Sequence, residues 1–538
     1  MSAPVRTIAP EATLSAARHH LQRYGHGALP VVNEIGKLLG LISRRDIDIA
    51  IHHGLADQRI ADHLTAEVLT AQVDEPLEVL HQKFVVRNIG RLPVLDGERL
   101  VGIITRSDLV RGLLQAIETT ENWSTRLQKH FAGSAWEHLK QLANLADKQK
   151  IQLYLVGGGV RDLMLNRPNL DLDLVAEGEA GAAIALGAAL KQEDSTIKLQ
   201  VFEKYQTVTI QWPDHVAIDI ATARTELYDQ PGVNPKVEHA SLQQDLYRRD
   251  FTMNAMAIAL NGLQSGKLVD HFGGKQDLEN RLVRAIHPNS FIEDPTRIFR
   301  AVRFATRLDF SLALQTEHFI RRSVSNGLHD GIGGERLKTE LAYILQASYW
   351  FAALKKLADL DALRCIHPGL KLTDLLENQL NTLEETVSKL PKLRVASWQL
   401  RFERLLLEAD PIIIERFRLE QQANERIQLT QQKRSAFEKF SEQKLEIRTI
   451  HQLCHQMSNE ACLLLGSALS TPRQNGLYAY IERRMQLVPL LNGNDLQTLG
   501  YKPGPQLREM LAALMREQLE ETLADRDSAV AWIGRHFP

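Results

Sequence analysis

A chain of 538 residues with 64 basic and 66 acidic side chains carries a formal net charge of −2. That excludes a global basic field, so any grip on nucleic acid must come from local clusters. Hydrophobic residues at 44% and charged residues at 24% are those of an ordinary globular protein, long enough for roughly three or four domains. The three cysteines, Cys365, Cys454 and Cys462, exclude a disulfide framework and a zinc site and fit a reducing, cytoplasmic compartment. The longest small-apolar run, Gly181 to Leu190, is too short to span a bilayer, and no signal peptide is expected, so no membrane partner is either.

Residues 1–117 hold an internal repeat with a period of about sixty residues. Leu29 to Ile47 matches Leu92 to Leu109, with Pro30 opposite Pro93, Gly40 opposite Gly102 and Asp46 opposite Asp108. Each copy predicts helix, strand, turn, strand, helix, and Met1 to Pro10 predicts a first β segment. Ser43 with Asp46, and Thr105 with Asp108, stand where an aspartate caps the following helix. The repeat resembles a pair of CBS modules, the cystathionine-β-synthase type. The resemblance implies that these four residues bind an adenosine nucleotide, with each aspartate on the ribose, and that the chain forms a homodimer. In related proteins a DHH-type phosphoesterase domain stands before such a pair. None is expected here, which leaves a shorter natural form or a fragment open.

Residues 118–150 are polar and predict a connector helix anchored by Trp123 and Trp136. Tyr154 to Glu177 then predicts strand, glycine turn, short helix, turn, strand. Gly157, Gly158 and Gly159 let the backbone turn sharply and bring amide N–H groups up to a phosphate. Arg161 follows, a planar five-donor cation suited to a polyphosphate. Leu170 to Leu174 alternates, so Asp171 and Asp173 share one face of a strand. Two carboxylates so placed repel unless a cation lies between them, and Mg²⁺ is the oxygen-seeking choice. Taken alone, the pair also fits a solvated strand face. Turn and strand together closely resemble the opening motif of class II CCA-adding enzymes and bacterial poly(A) polymerases, a branch of the polymerase-β nucleotidyltransferase superfamily.

An alanine-rich helix over 178–192 and strands over 197–202 and 206–212 are predicted next. This chain has Tyr205-Gln206-Thr207 where the family shows Phe-Gly-Thr. Val216 to Ala223 predicts a strand with Asp219 at its middle. That residue is either a third catalytic carboxylate, as base or metal contact, or a structural partner of Arg224. Arg249, Asp250 and Asn254 belong to YRRDFTMNAMAI, which matches the family's second motif. There the resemblance implies that Arg249 reaches the triphosphate and that Asp250 and Asn254 read the ribose hydroxyls. Asp270 to Arg284 matches a hinge-like third motif, with Asp277 expected to begin a helix.

Phe291 to Leu308 is the fourth motif. Phe299, Val302, Ala305 and Leu308 mark a buried helix face, while Arg297, Arg300 and Arg303 form a basic row that calls for an anion. The resemblance implies a protein template. Asp294 accepts from the exocyclic amine of C or A, Arg297 donates to the adjacent ring nitrogen, and U and G are refused. Arg300 and Arg303 are implied as further nucleotide contacts, and Glu335, Arg336 and Glu340 as a brace of neck to head. The rest predicts helices without chemistry, with His451 and His455 structural or on the surface. Asn492 to Leu507 resembles the tail of CCA-adding enzymes.

The expected fold is multidomain α/β plus all-α. The CBS pair (1–117) and connector helix (118–150) lead to a polymerase-β-type nucleotidyltransferase head with a mixed sheet and helices (151–265). A neck with the nucleotide-template helix (266–345) and an RNA-binding helical body and tail (346–538) follow. The implied activity is addition of CMP or AMP to the tRNA 3′ end, as CCA or terminal A, from CTP and ATP. The RNA 3′-OH attacks the α-phosphate, Asp171 and Asp173 hold Mg²⁺ as the metal ligands, and pyrophosphate leaves. Gly158, Arg161, Arg249, Asp250, Asn254, Asp294, Arg297, Arg300 and Arg303 are the nucleotide-binding set. Poly(A) polymerase, or an adenylate-sensing CBS regulator with a degenerate head, are the alternatives.

Overall fold

The computed structural model describes the chain apart from residues 1, 2, 4, 25, 53–54, 67, 87–89, 110–121, 169–171, 228–234, 288, 328–332, 391–392 and 440–445. Asp171 lies outside the described residues. The chain divides into two compact units, residues 1–290 with 311–316, and residues 291–310 with 317–538.

The first unit opens with helix α1 (Leu14–Tyr24), strands β1 (Ala28–Val32) and β2 (Leu38–Ser43) and helix α2 (Arg44–His52). The second copy of the repeat gives β3 (Ala71–Gln72), α3 (Leu77–Val86), β4 (Arg91–Asp96) and β5 (Arg99–Thr105). Both hairpins are antiparallel, and both slip register at the matching place, between Val31 and Val32 and between Val94 and Leu95. Each copy closes its own core, around Leu21, Leu29 and Ile42 in the first and Phe84, Leu92 and Val94 in the second. Among the described residues, the β segment expected before α1 is one bridge, between Ile8 and Val31; Pro10 has no N–H to continue a ladder.

Two connector helices stand where one is predicted, α4 (Ser124–His130) and α5 (Ser134–Lys148). Gly133 separates them at φ +85°, a conformation that a helix cannot contain and that glycine adopts without steric cost. Trp123 is buried, whereas Trp136 is only half-buried.

The head is built on strands β6 (Gln152–Val156), β7 (Leu172–Glu177), β8 (Lys198–Phe202), β9 (Thr207–Gln211), β10 (Ala217–Thr222), β13 (Met256–Ala259) and β14 (Leu268–Asp270). They form one seven-stranded mixed sheet in the order β14-β13-β6-β7-β10-β9-β8. Only β7 and β10 run parallel. Helix α6 (Gly158–Met164) follows β6, and α7 (Ala182–Glu193) follows β7, burying Ala183, Leu186 and Leu190 completely. A separate hairpin, β11 (Arg224–Leu227) with β12 (Lys236–His239), leads into α8 (Leu242–Tyr247). Asp277, expected to start a helix, instead lies inside α9 (Gly274–Glu279), because Gly273 at φ +76° sets the start earlier. Its buried carboxylate accepts from Thr252 Oγ1 at 2.7 Å and Arg284 Nε at 2.9 Å.

The second unit is helical. In α10 (Arg297–Leu308) the residues Phe299, Val302, Ala305 and Leu308 are all buried, the stripe that the 3.6-residue period predicts. Helix α11 is Gly334–Gln346, and further helices continue to Arg526–His536. Among the described residues no helix is long and apolar enough to cross a membrane.

Candidate active site

The β6–α6 turn depends on Gly157. Its φ is +66°, and a Cβ there would lie 2.9 Å from Arg249 Nη1, so a side chain would be strained and would also push the guanidinium away. Arg249 thus lies against the glycine turn that the sequence assigns to phosphates. Arg161 has a different setting. It is buried, and its Nε and Nη2 each donate at 2.8 Å to Asp162, a bidentate pair. Its Nη1 donates at 2.8 Å to Asn254 Oδ1. Asn254 Nδ2 in turn donates at 3.0 Å to Asp250 Oδ1. Asp250 and Asn254 therefore meet as the sequence expects, but across a 3₁₀ turn (Thr252–Asn254) rather than along an α-helix. Arg161 fixes the orientation of the Asn254 amide.

Asp173 and Asp219 are register partners on the parallel strands β7 and β10. Paired positions on neighbouring strands face the same side, about 5 Å apart. Asp219 is exposed and accepts from Thr209 Oγ1. Arg224, the partner that a structural reading would give it, donates instead to Tyr205 O and to Thr207 Oγ1. Among the described residues no group of three or more His, Cys, Asp or Glu is arranged to hold a metal ion. Asp173 and Asp219 do supply hard carboxylate oxygens side by side, a donor chemistry that fits Mg²⁺.

Gln206 occupies the position where the family has glycine, and its φ of +50° with ψ of +45° is left-handed. Its side-chain Oε1 accepts from the Gly181 N–H at 3.3 Å, which partly offsets the strain.

Asp245 carries a role that the sequence reading missed. It is fully buried on α8 and accepts from Arg248 Nη2 at 2.7 Å and Arg249 Nη2 at 3.1 Å. Burial alone would raise its carboxyl, but Arg248 and Arg249 outweigh that and hold it below the usual carboxylate range. The signal was present as spacing, since Asp245 stands three and four residues before the two arginines, where helical neighbours meet.

In the second unit, Asp294 and Arg297 are both buried. Asp294 Oδ1 accepts from the Thr296 N–H at 3.1 Å and its hydroxyl at 2.6 Å, and Oδ2 accepts from Arg336 Nη2 at 2.6 Å. The carboxylate is thereby held from both sides. Arg303 Nε lies 3.2 Å and Arg300 Nη1 3.6 Å from the Glu340 carboxylate. The basic row therefore has an internal counter-ion that the periodicity of α10 did not reveal. Arg336 and Glu340, expected to brace neck to head, hold Asp294 and this row.

In the repeat pair, Ser43 Oγ donates to Asp46 at 2.5 Å and Thr105 Oγ1 donates to Asp108 at 2.8 Å. The return bonds come from the Asp46 and Asp108 N–H groups at 3.2 Å, a helix-start pattern in both copies. Ser43 lines a cavity of about 840 Å³ with Arg44 and Arg91. Thr105 lines another of about 220 Å³ with Arg6, His26, Arg91 and, from the head, Gln244. Burial pushes the His26 imidazole down to about 4, with His20, Arg6 and Arg91 adding to the effect, as expected of a cation-rich cavity.

A family model described as the poly(A) polymerase head domain matches residues 153–284, and a CBS-domain model matches residues 1–53 and 60–115. An A-adding tRNA nucleotidyltransferase of Geobacter sulfurreducens is 32% identical over 566 residues, covering 98% of this chain, which spans 63% of the length of that relative. An A-adding tRNA nucleotidyltransferase of Halalkalibacterium halodurans is 32% identical over 414 residues, 74% of this chain and 92% of its own. Among solved structures, the Thermotoga maritima CCA-adding enzyme complexed with tRNA is similar at a TM-score of 0.67 and 26% identity. That match covers 78% of this chain and 99% of that one.

Proposed function

Because this chain belongs to the family of A-adding and CCA-adding tRNA nucleotidyltransferases, we propose that it transfers nucleoside monophosphates from ATP or CTP to the 3′ end of tRNA and releases pyrophosphate. The observation that carries this reading is the pairing of Asp173 with Asp219 on neighbouring strands, in the same head as a glycine turn backed by Arg249. Arg249 meets the triphosphate. Asp250 and Asn254, oriented by Arg161, read the ribose hydroxyls, and a nucleotide lacking the 2′-OH leaves them unpaired. Asp219, exposed beside Asp173, accepts the proton of the attacking 3′-OH.

Asp173, with Asp171 of the same D-x-D run, would hold Mg²⁺ through hard carboxylate oxygens. Bound there it would supply Lewis-acid stabilisation of the attacking and leaving oxygens. In the second unit, Asp294 and Arg297 read the base edge. An ionised carboxylate is acceptor-only, and Thr296 and Arg336 fix its direction, so it selects the amine of A or C. Of the two products we favour terminal A, because the relatives that share 98% and 74% of this chain are both A-adding enzymes. In the repeat pair, Ser43 with Asp46 and Thr105 with Asp108 bind an adenosine nucleotide. The cations Arg6 and Arg91 beside Thr105 suit its phosphate.

The test is incorporation of single labelled nucleotides into three tRNA transcripts, ending at the discriminator base, at C and at CC, with Mg²⁺ and an Asp173→Ala control. AMP added only to the CC-ended transcript is the expected result. CTP then ATP on all three marks a CCA enzyme, and long A-tails on any RNA a poly(A) polymerase. Absence of incorporation, or full activity of Asp173→Ala, overturns the catalytic reading.

A further inference from the structure

The hairpin β11–β12 meets the first repeat copy through Glu238 and, from the alternate positions of its opposite face, the arginine cluster around Asp245 through Glu226. On β12, Glu238 accepts from Arg6 at 3.1 Å, Arg23 at 3.1 Å and the Tyr24 hydroxyl at 3.2 Å. Both guanidinium groups also lie over the Tyr24 ring, at 4.9 and 5.6 Å. One carboxylate thus gathers three donors from a module more than 200 residues away in sequence. Across the hairpin, Glu238 is paired with Thr225, between Arg224 and Glu226.

From the alternate positions beside Thr225, Glu226 accepts from Arg248, and Arg248 Nε also donates to the Arg224 carbonyl at 3.1 Å. Arg248 and Arg249 share the buried Asp245. The residue before it, Gln244, closes the capping box of α8 with Ser241 and lines the cavity of the repeat pair beside Arg6. Neighbouring residues of one helix therefore face a module cavity and the arginine at the phosphate turn.

We propose that the β11–β12 hairpin and α8 carry the state of the N-terminal pair to Arg249, so that the hold on Glu238 sets how tightly the head binds the nucleoside triphosphate. Asp245 is the positioning residue at the centre of this link. The proposal rests on the reading of Arg249 given above. The logic is one of competition. Arg6 belongs both to the grip on Glu238 and to the cavity lining, so an anion entering the cavity draws on a cation that otherwise holds the hairpin. Losing that hold frees Glu226 and Arg248 to shift, and Asp245 then no longer aims Arg249 at the turn. The energy available is small, because the pairs are partly exposed, and coupling of this kind is in general about five- to 150-fold.

The test uses the full chain and steady-state addition of AMP to the CC-ended transcript. Glu238→Gln is expected to raise KM for ATP about five- to tenfold, at the low end of that range, with kcat within about twofold and an unchanged melting midpoint. The Arg6→Ala/Arg23→Ala double variant should show the same rise, and the triple variant no more than either, since all three act on one contact. KM for ATP within twofold of wild type in both single-side variants, or effects that multiply in the triple, overturns the proposal. If Glu238→Gln melts early, the Arg6/Arg23 variant alone decides. Arg249→Ala separates the two claims. If it leaves KM unmoved, the reading of Arg249 falls. If it raises KM while the Glu238 and Arg6/Arg23 variants do nothing, only the link to the N-terminal pair falls.

Discussion

Asp219 stands beside Asp173 as its register partner across the two parallel strands of the head sheet. Every other neighbouring pair of strands in that sheet is antiparallel. The parallel step matters because it sets a residue from the D-x-D strand and a residue 46 positions later side by side, facing one way.

Removing either carboxylate should separate chemistry from folding. Asp173→Ala should lower kcat for AMP addition on the order of 10³-fold. Asp219→Asn should lower it about 10²-fold, the range of a lost general base. Asp219 is exposed, so its variant should melt with the wild type. Single-turnover kinetics alongside thermal melts would check both. A 219 variant with wild-type kcat would return Asp219 to a structural role.

Arg336 should govern base choice without touching the phosphates. It holds Asp294 Oδ2 at 2.6 Å, so Arg336→Met leaves the carboxylate steered from one side only. The expected result is a fall of about 10- to 100-fold in kcat/KM for ATP, the worth of one charged hydrogen bond. Addition of UMP should stay as poor as before. Competition between labelled ATP and UTP measures this directly.

Gln206 should be improvable. A non-glycine residue at φ +50° pays a left-handed penalty of roughly 1–2 kcal/mol. Gln206→Gly removes it but adds unfolded-state freedom and loses the bond to Gly181. A net gain of about 0.5 kcal/mol in urea unfolding of the first unit is expected. A loss would mean that the Gly181 bond outweighs the strain.

His451 should make the second unit acid-sensitive. Its Nε2 donates to the Ala512 carbonyl and its Nδ1 accepts from the Tyr480 hydroxyl, both at 3.0 Å. Burial, with His455, Arg484 and Arg516 adding, pushes it down to about 4. An unfolded histidine titrates near 6.5. Between these values the unfolded chain takes up a proton that the folded chain refuses. Stability is therefore complete above about 6.5 and falls as pH drops toward 4, by up to about 3 kcal/mol. His451→Gln should flatten that slope in denaturant melts from pH 7 to 4.5, whereas a change at exposed His455 should not.

Local patterns carried much of this molecule. The glycine turn, the alternating strand with Asp219, the buried stripe of α10 and the repeat of the N-terminal pair are all short-range signals, and each element formed where its period placed it. What stayed hidden depends on partners far apart in sequence. Glu340 neutralises Arg300 and Arg303 across 40 and 37 residues, so the basic row read as if it needed an outside anion. Asp277 read as a helix cap because aspartate so often is one, yet it anchors Thr252 and Arg284. Asp245 stands within reach of its two arginines by helical spacing alone, but the RRD run beside it reads by itself as a phosphate contact.

The matching slips in the two N-terminal hairpins, at Val31/Val32 and Val94/Leu95, bear on ancestry. Bulges of this kind are kept as features once a fold depends on them. The same irregularity at the same place in both copies is the mark of one ancestral hairpin, doubled within the gene. It also makes the two hairpins interchangeable parts. A chimaera carrying residues 91–105 in place of 28–43 should still close its sheet, because the transplanted strands arrive with the kink already in place. What it would lose is whatever the two copies have since learned to do differently.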